Sequence, residues 1–254
     1  MQPGFTVVIP ARHDSTRLPG KLLLDIAGKP LIRHVYESAS NSGAEQVIVA
    51  TDDDRIKAVV ESFGGKAVMT AVNHKSGTDR IAEAIDTMKI PDDSIIVNVQ
   101  GDEFGLSPSI IDQIYAALRG RPDSVMATLC ERINDLREFN NPHVVKVIFN
   151  KDNHAIYFSR APIPWFDSSR KQVLTEFTGG AYRHIGIYGY RAGFLRIFTS
   201  LPHCPLEEAE RLEQLRALYH GYIIYVEETV EKAGIGVDTQ EDLESARRLA
   251  EKNV

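Results

Sequence analysis

From residue 5 to residue 129 the chain repeats one unit: a short apolar run suited to a buried strand, then apolar residues at helical spacing. Phe5, Val7, Val8 and Ile9 form the first run. Behind Pro30, Leu31, Ile32, Val35 and Ala39 keep one face of a helix that ends at Gly43. EQVIVATD (45–52) is a second strand. Asp52, Asp53 and Asp54 sit at the next helix start, where carboxylates suit the positive end of the dipole, and Ile56, Val59, Val60 and Phe63 follow until Gly64-Gly65 stops the helix. KAVMT (66–70) is a third strand, and polar NHKSGTDR (73–80) leads into a helix bearing Ile81, Ala82, Ile85 and Met88. SIIVNVQGDE (94–103) is the most apolar strand; a helix over 109–119 and a strand over 125–129 continue the pattern. Such alternation predicts an α/β chain with a mainly parallel sheet, which binds ligands beyond the carboxyl ends of its strands.

The rhythm then changes. HVVKVIF (143–149) and HAIYFS (154–159) flank the turn-forming NKDN and read as a β-hairpin. Residues 161–180, with Pro162, Pro164, Trp165 and Gly179-Gly180, read as a mobile loop. RHIGIYGYR (183–191) resumes as a strand. PLEEAERLEQLRALYHG reads as one helix carrying Leu206, Leu212, Leu215 and Leu218 and ending at Gly221. After the strand GYIIYVEE, Thr239 stands three residues before Asp242, a capping box opening a last helix. No linker divides the chain, so residues 1–254 are expected to form one domain with a β-rich excursion at about 140–190.

A hydrophobic content of 43% can furnish a sizeable core. Twenty-nine basic against 35 acidic side chains leave a net charge of −6, the wrong sign for a partner such as DNA or RNA. Cys130 and Cys204 stand far apart without metal-ligand spacing, which fits a reducing cytoplasm. The N-terminus has no export pattern, and no stretch reaches about 18 apolar residues, so no membrane insertion is expected.

Three groups of residues can carry chemistry. IPARHDSTRLPGK (9–21) runs from a buried strand into a loop with Arg12, Arg17 and Lys21. It is no P-loop, because Leu22 follows Gly20-Lys21 and no glycine lies five residues earlier. The three cations suit a triphosphate, or are a solvated basic loop. Asp102, at the end of the central strand, and Asp238, before the last helix, can share a hard cation such as Mg²⁺; equally, one is a turn residue and the other a helix-start carboxylate. His184, Tyr188, Glu213 and Gln214 offer donors and acceptors to a hydroxyl-rich ligand, or are a strand His and Tyr and an exposed helix Glu and Gln. No Ser-His-Asp order is present, so nucleophilic catalysis has no support.

Taken in order, IPARHDSTRLPGK, GKPLIRHVYE, VIVATDD, SGTDR, IVNVQGDE, NPHVVKV, IYFSRAPIP, RHIGIYGYR, LEQLRAL and GVDTQEDL resemble the 3-deoxy-manno-octulosonate (Kdo) cytidylyltransferases, from about residue 5 to residue 248. The resemblance implies a single-domain Rossmann-like nucleotide-diphospho-sugar transferase fold, with a mostly parallel mixed sheet and a β-rich excursion through which two copies form a homodimer. It implies transfer of CMP from CTP to Kdo with release of pyrophosphate, in the cytoplasm, for lipopolysaccharide biosynthesis. It further implies Arg12, Ser15, Arg17 and Lys21 at the phosphates, Arg80 and Gln100 on the base side, and Asp102 and Asp238 as Mg²⁺ ligands. Arg17, Lys21, Asp102 and Asp238 are then the catalytic group, and Arg160, His184, Tyr188, Glu213 and Gln214 hold the sugar acid. RHIGIYGYR and LEQLRAL favour Kdo over sialic acid or an 8-amino analogue. A non-catalytic nucleotide-binding protein is the alternative from another class. His13-Asp14 and Phe104-Gly105 depart from the family pattern: the first adds a carboxylate beside the phosphate loop, and the second is expected to loosen the turn after Asp102.

Overall fold

The computed structural model describes residues 4–15, 17–165 and 180–252. The first half runs β1 (Phe5–Ala11), β2 (Asp25–Ile26), β3 (Lys29–Pro30), α1 (Leu31–Ser40), β4 (Gln46–Thr51), α2 (Asp54–Ser62), β5 (Ala67–Met69), α3 (Gly77–Thr87), β6 (Ile95–Asn98), β7 (Glu103–Phe104) and α4 (Pro108–Arg119). The second half begins with β8 (Met126–Ile133), α5 (Leu136–Asn140), β9 (Lys146–Phe149), β10 (Ala155–Ser159) and β11 (Ala181–Arg191). It ends with α6 (Ala192–Ser200), α7 (Pro205–Glu210), α8 (Gln214–Tyr219), β12 (Ile224–Glu228), β13 (Ile235–Gly236) and α9 (Gln240–Lys252).

Nine strands share one sheet in the order β10-β9-β11-β6-β1-β4-β5, with β8 beside β11 and β12 beside β8. β6, β1, β4 and β5 are parallel, as are β8 and β12, while β11 runs antiparallel to β6 and β8. Both faces of the parallel strands are covered. Val7, Ile9, Val47 and Val49 enter one core with Leu31, Ile32 and Val35 of α1 and Ile110 and Ile114 of α4. Val8, Ile48 and Ala50 enter the other, with Ile81 and Ile85 of α3 and Leu195 and Phe198 of α6. Burial on two faces is why these strands read as unbroken apolar runs.

The chain starts in mid-sheet at β1, builds β4 and β5 on one side, and returns to place β6 on the other. Connections leaving β1 and β6 in opposite directions open a crevice beyond their carboxyl ends, the usual ligand position in such sheets. At its floor the two strand ends approach closely: a Cβ on Gly101 would lie 3.0 Å from the Pro10 carbonyl oxygen.

The expected hairpin forms, β9 pairing antiparallel with β10. Its β9 strand also pairs with β11 at Tyr182 and Arg183, so the excursion is an extension of the main sheet. The loop expected at 161–180 lies largely outside the described residues. Two expectations fail. The 205–221 segment is two helices, broken where Arg211 takes a left-handed φ of 54°. The bend drives Leu212 and Leu215 into the core and leaves Leu206 40% exposed, a division that a straight helix cannot give. Asp52 is not part of the start of α2: Asp53 caps that helix, and Asp52 turns away to Arg80. The sequence does not signal the small β2–β3 hairpin, because its left-handed turn residues are Ala27 and Gly28 and lack the usual Asn-Gly or Asp-Gly signature.

Candidate active site

A cavity of about 260 Å³ opens in the crevice between β1 and β6. Its walls come from four stretches of chain and include all six residues expected at the nucleotide, Arg12, Ser15, Arg17, Lys21, Arg80 and Gln100, together with Asp102 and Asp238. The cationic loop leaves β1, and the Gly20 N–H donates to the His13 carbonyl at 3.2 Å, which closes it. Gly20, at φ 66°, makes the turn into the short 3-10 helix that begins at Lys21.

β7 and β13 bring the two carboxylates together. These strands pair at Phe104–Ile235 and Glu103–Gly236, and the Val237 N–H donates to the Asp102 carbonyl at 2.9 Å. Thr239 and Asp242 form the expected capping box just beyond. Asp102 and Asp238 consequently both reach one ammonium: Lys21 Nζ bonds Asp102 Oδ2 and lies 2.8 Å from Asp238 Oδ1. Arg17 adds a 2.8 Å ion pair to the other Asp238 oxygen. Two of the three expected phosphate cations, Arg17 and Lys21, and the expected metal carboxylates therefore neutralise each other. Burial lowers the Lys21 pKa, but Asp102 and Asp238 outweigh it and hold the ammonium above its ordinary value. Beside them, burial and then the charge of Asp102 push the Glu103 carboxyl up to about 7.

Arg80, expected on the base side, is 4% exposed, and its guanidinium is engaged by Thr70 Oγ1 at 2.5 Å and Asp52 Oδ2 at 2.6 Å. It is a fixed piece of the wall. Gln100 is tied to Asn98, its Nε2 lying 3.4 Å from Asn98 Oδ1. Four further lining residues, His74, Lys75, Ser76 and Gly77, were not singled out from the sequence. Their signal was the SGTD capping box, which fixes the first turn of α3 at the cavity. That helix approaches so closely that a Cβ on Gly77 would stand 3.3 Å from Pro10 Cγ. A helix N-terminus there favours an anion.

The expected sugar-side residues do not line this cavity. A bulge in β11 between Ile185 and Tyr188 shortens the strand locally, so the rings of His184 and Tyr188 stand 5.3 Å apart. Four residues of straight strand would span about 13 Å. His184 Nε2 lies 3.0 Å from Thr128 Oγ1, and burial pulls its pKa down to about 3, keeping the ring neutral. Burial raises the Tyr188 hydroxyl well above its ordinary value. Glu213 and Gln214 are not exposed helix residues, because the bend at Arg211 turns them inward; Gln214 is 6% exposed. Thr78 Oγ1 donates to Glu213 Oε2 at 2.5 Å, attaching Glu213 to the same turn of α3 that walls the cavity. Burial raises the Glu213 pKa against the hydrogen bonds of Thr78 and Ser76. Glu213 Oε1 and Gln214 Nε2 are buried without a hydrogen-bond partner. Glu213 also faces an adjoining cleft of about 550 Å³ that shares Lys75 and Ser76 with the first cavity. Arg160 stands apart, bonded to the carbonyls of Glu210 and Pro142.

Neither departure lines the cavity. Asp14 is fully exposed, 3.6 Å from His13 Nδ1, and does not line the cavity. Phe104 is buried against His34, and Gly105, at φ 75°, completes a turn that β13 holds, so the turn after Asp102 is not loosened.

Residues 6–232 match the family model for cytidylyltransferases. A 3-deoxy-manno-octulosonate cytidylyltransferase of Pseudomonas fluorescens is 53% identical over 256 residues, covering 99% of this chain and 100% of the relative. One of Hahella chejuensis is 49% identical over 256 residues, covering 98% and 99%. The solved structure of a CMP:2-keto-3-deoxy-manno-octonic acid synthetase complexed with CTP superposes with a TM-score of 0.90 at 42% identity, covering 98% of this chain and 100% of that one. A putative glucose-1-phosphate thymidylyltransferase of Bacillus anthracis shares the fold alone, at a TM-score of 0.65 and 16% identity, with 97% of this chain and 95% of that one covered. The α/β fold with a parallel centre, the crevice at the strand reversal and near-complete coverage by these relatives agree: the chain belongs to the 3-deoxy-manno-octulosonate cytidylyltransferase family.

Proposed function

We propose that this chain, working as one nucleotidyltransferase domain, transfers CMP from CTP to Kdo and releases pyrophosphate. The observation that carries the proposal is the convergence of Arg12, Arg17, Lys21, Arg80, Gln100, Asp102 and Asp238 on one cavity at the strand-order reversal. The C2 hydroxyl of Kdo attacks the α-phosphorus of CTP, the bond from that phosphorus to the oxygen bridging the β-phosphate breaks, pyrophosphate leaves, and the hydroxyl proton passes to solvent. No covalent protein intermediate is needed.

Asp102 and Asp238 suit Mg²⁺: hard oxygen donors, already turned to a common cation, leave the remaining positions to phosphate oxygens and water. When bound, Mg²⁺ supplies Lewis-acid stabilisation of charge at the phosphoryl oxygens and acidifies a neighbouring hydroxyl. The chain's own part is an exchange of partners. Lys21 and Arg17 leave the carboxylates and turn to the phosphates, steadying the departing pyrophosphate with charge-assisted hydrogen bonds. Arg12 and Ser15 join them from the same loop, and Gln100 and the Arg80 wall face the base. Glu213 Oε1 and Gln214 Nε2, which make no hydrogen bond among the described residues, accept from and donate to Kdo hydroxyls, with Arg160, His184 and Tyr188 completing the sugar side.

Two copies are proposed to pair through the β9–β10 hairpin, since β10 is an edge strand of the sheet and Ile156 on it is 56% exposed. Sedimentation of the purified enzyme reads this directly, and a monomer at micromolar concentration overturns it. A cytoplasmic setting is supported by Cys130 and Cys204, both buried free thiols. Among the described residues no helix is long and apolar enough to cross a membrane. The deciding experiment is pyrophosphate release with CTP against UTP and ATP, and with Kdo against sialic acid. Release only with CTP and Kdo is expected; turnover with UTP or ATP in place of CTP would falsify the nucleotide assignment.

A further inference from the structure

Arg160 follows the last residue of β10, a strand at the edge of the sheet, where backbone groups can usually be left to water. Its backbone is instead gripped on both sides by charged side chains. The Arg160 N–H donates to Glu210 Oε2 at 2.9 Å, and its carbonyl accepts from Lys146 Nζ at 2.7 Å. The grip extends further. Glu210 Oε1 accepts from Ser159 Oγ at 2.6 Å, and the Glu210 carbonyl accepts from Arg160 Nε at 2.9 Å. Lys146 is fully buried and spends its other donors on the carbonyls of Asn141, at 3.0 Å, and Val144, at 2.6 Å. Between those two residues, the Pro142 carbonyl accepts from Arg160 Nη1 at 3.1 Å.

A buried ammonium is costly, and an apolar side chain of similar volume would fill the space at less cost. What an apolar residue could not do is fix three carbonyls at once. Glu210 also ends α7, immediately before the left-handed bend at Arg211 that turns Glu213 and Gln214 inward. One carboxylate therefore joins the strand end that carries Arg160 to the bend that presents the two polar atoms left without a hydrogen bond.

Resting on the sugar-acid role proposed above for Arg160, Glu213 and Gln214, we propose that Glu210 and Lys146 are positioning residues for the sugar acid. They form a carboxylate and ammonium clasp on the Arg160 backbone that sets its guanidinium relative to Glu213 and Gln214 before the sugar arrives. Pre-set geometry of this kind acts on the affinity for one substrate and leaves the nucleotide end untouched.

The test uses the full-length enzyme with Glu210→Ala, Glu210→Gln and, as a reference, Arg160→Ala, measuring KM for Kdo and for CTP together with hydrogen exchange at the Arg160 amide. Glu210→Ala is expected to raise the KM for Kdo about ten-fold, with the KM for CTP within about two-fold. Glu210→Gln, which keeps one acceptor oxygen, should raise it less, and the Arg160 amide should exchange faster in both variants. A parallel rise in both KM values, or no rise at all, shows that the grip is merely structural and overturns the clasp. Should Arg160→Ala raise the KM for Kdo while both Glu210 variants leave it unchanged, the clasp alone falls. Should Arg160→Ala itself leave that KM unchanged, the sugar-side assignment falls and takes the clasp with it. If Glu210→Ala does not fold, the KM split in Glu210→Gln decides.

Discussion

At the end of the site proposed for the phosphates, Arg17 and Lys21 pair with Asp238 and Asp102, so the waiting charges neutralise one another. At the end proposed for the sugar, Glu213 Oε1 and Gln214 Nε2 are buried without a hydrogen bond among the described residues, Arg216 Nη2 standing 3.7 Å from Glu213 Oε1, and His184 is held neutral by burial. The first end is partly solvent-exposed and keeps four charged groups without large net charge, at the cost of a rearrangement when nucleotide binds. The second is already desolvated, and its unmet hydrogen bonds persist until a ligand supplies partners. Charged substrates suit the first arrangement, because one ion pair can replace another. A neutral polyol face suits the second, because discrimination by hydroxyl groups depends on site polar groups that remain unpaired with the wrong ligand.

This contrast can be broken at either end. The largest effect is expected from Asp102→Asn, which removes one carboxylate and keeps the shape: turnover should fall by about 10²–10³ while circular dichroism stays native. Near-normal turnover would sink the two-carboxylate assignment. Lys21→Met removes the ammonium between Asp102 and Asp238 and should lower kcat/KM for CTP by about 10² with little change in the KM for Kdo. It should also lower the thermal midpoint, because Asp102 loses its cation and faces Asp238 with only Arg17 left beside the pair; a higher midpoint contradicts the self-neutralised picture. Gln214→Met has the opposite signature. It should raise the KM for Kdo about ten-fold and stabilise the free enzyme by about 1 kcal/mol, since a buried donor without a partner is removed. Loss of stability in the ligand-free variant would mean that Gln214 Nε2 has a partner in solution.

The smallest effect concerns acid. His184 has a folded-state pKa of about 3, below the ordinary 6.5, so the unfolded chain takes up the proton first. Its contribution to stability is complete above about pH 6.5 and declines as the pH falls toward about 3. Between pH 6.5 and about 5.5 the loss is about 1 kcal/mol relative to His184→Gln, readable by urea unfolding. Identical pH slopes in the two proteins would show that the imidazole is not desolvated.

Much of the fold is legible in the sequence for a local reason. In β1 and β4, successive residues such as Val7, Val8, Val47 and Ile48 enter cores on opposite faces of the sheet, so every position is apolar. The helices show their buried faces by spacing, as Leu31, Ile32, Val35 and Ala39 do on α1. The bend at Arg211 is not legible, because arginine has no preference for a left-handed φ; burial of Leu212 and Leu215 imposes it. For the same reason Glu213 and Gln214 read as surface residues when taken without the family motif. Arg80 reads from the sequence as a base-side residue, but nothing in SGTDR shows that Asp52, 28 positions away, holds its guanidinium in the cavity wall.

By itself, the sequence determined the alternation of strands and helices, the cationic loop at 12–21, and Asp102 and Asp238 at element edges, because each of these is written in neighbouring residues. Tertiary structure alone decided that Lys21 lies between carboxylates 81 and 217 positions away, that Glu213 and Gln214 keep unmet polar atoms, and that Lys146 and Glu210 hold Arg160. Periodicity records which face of an element is buried. Which charges meet across the crevice depends on the strand order and on the β7–β13 pairing, and no local pattern encodes either.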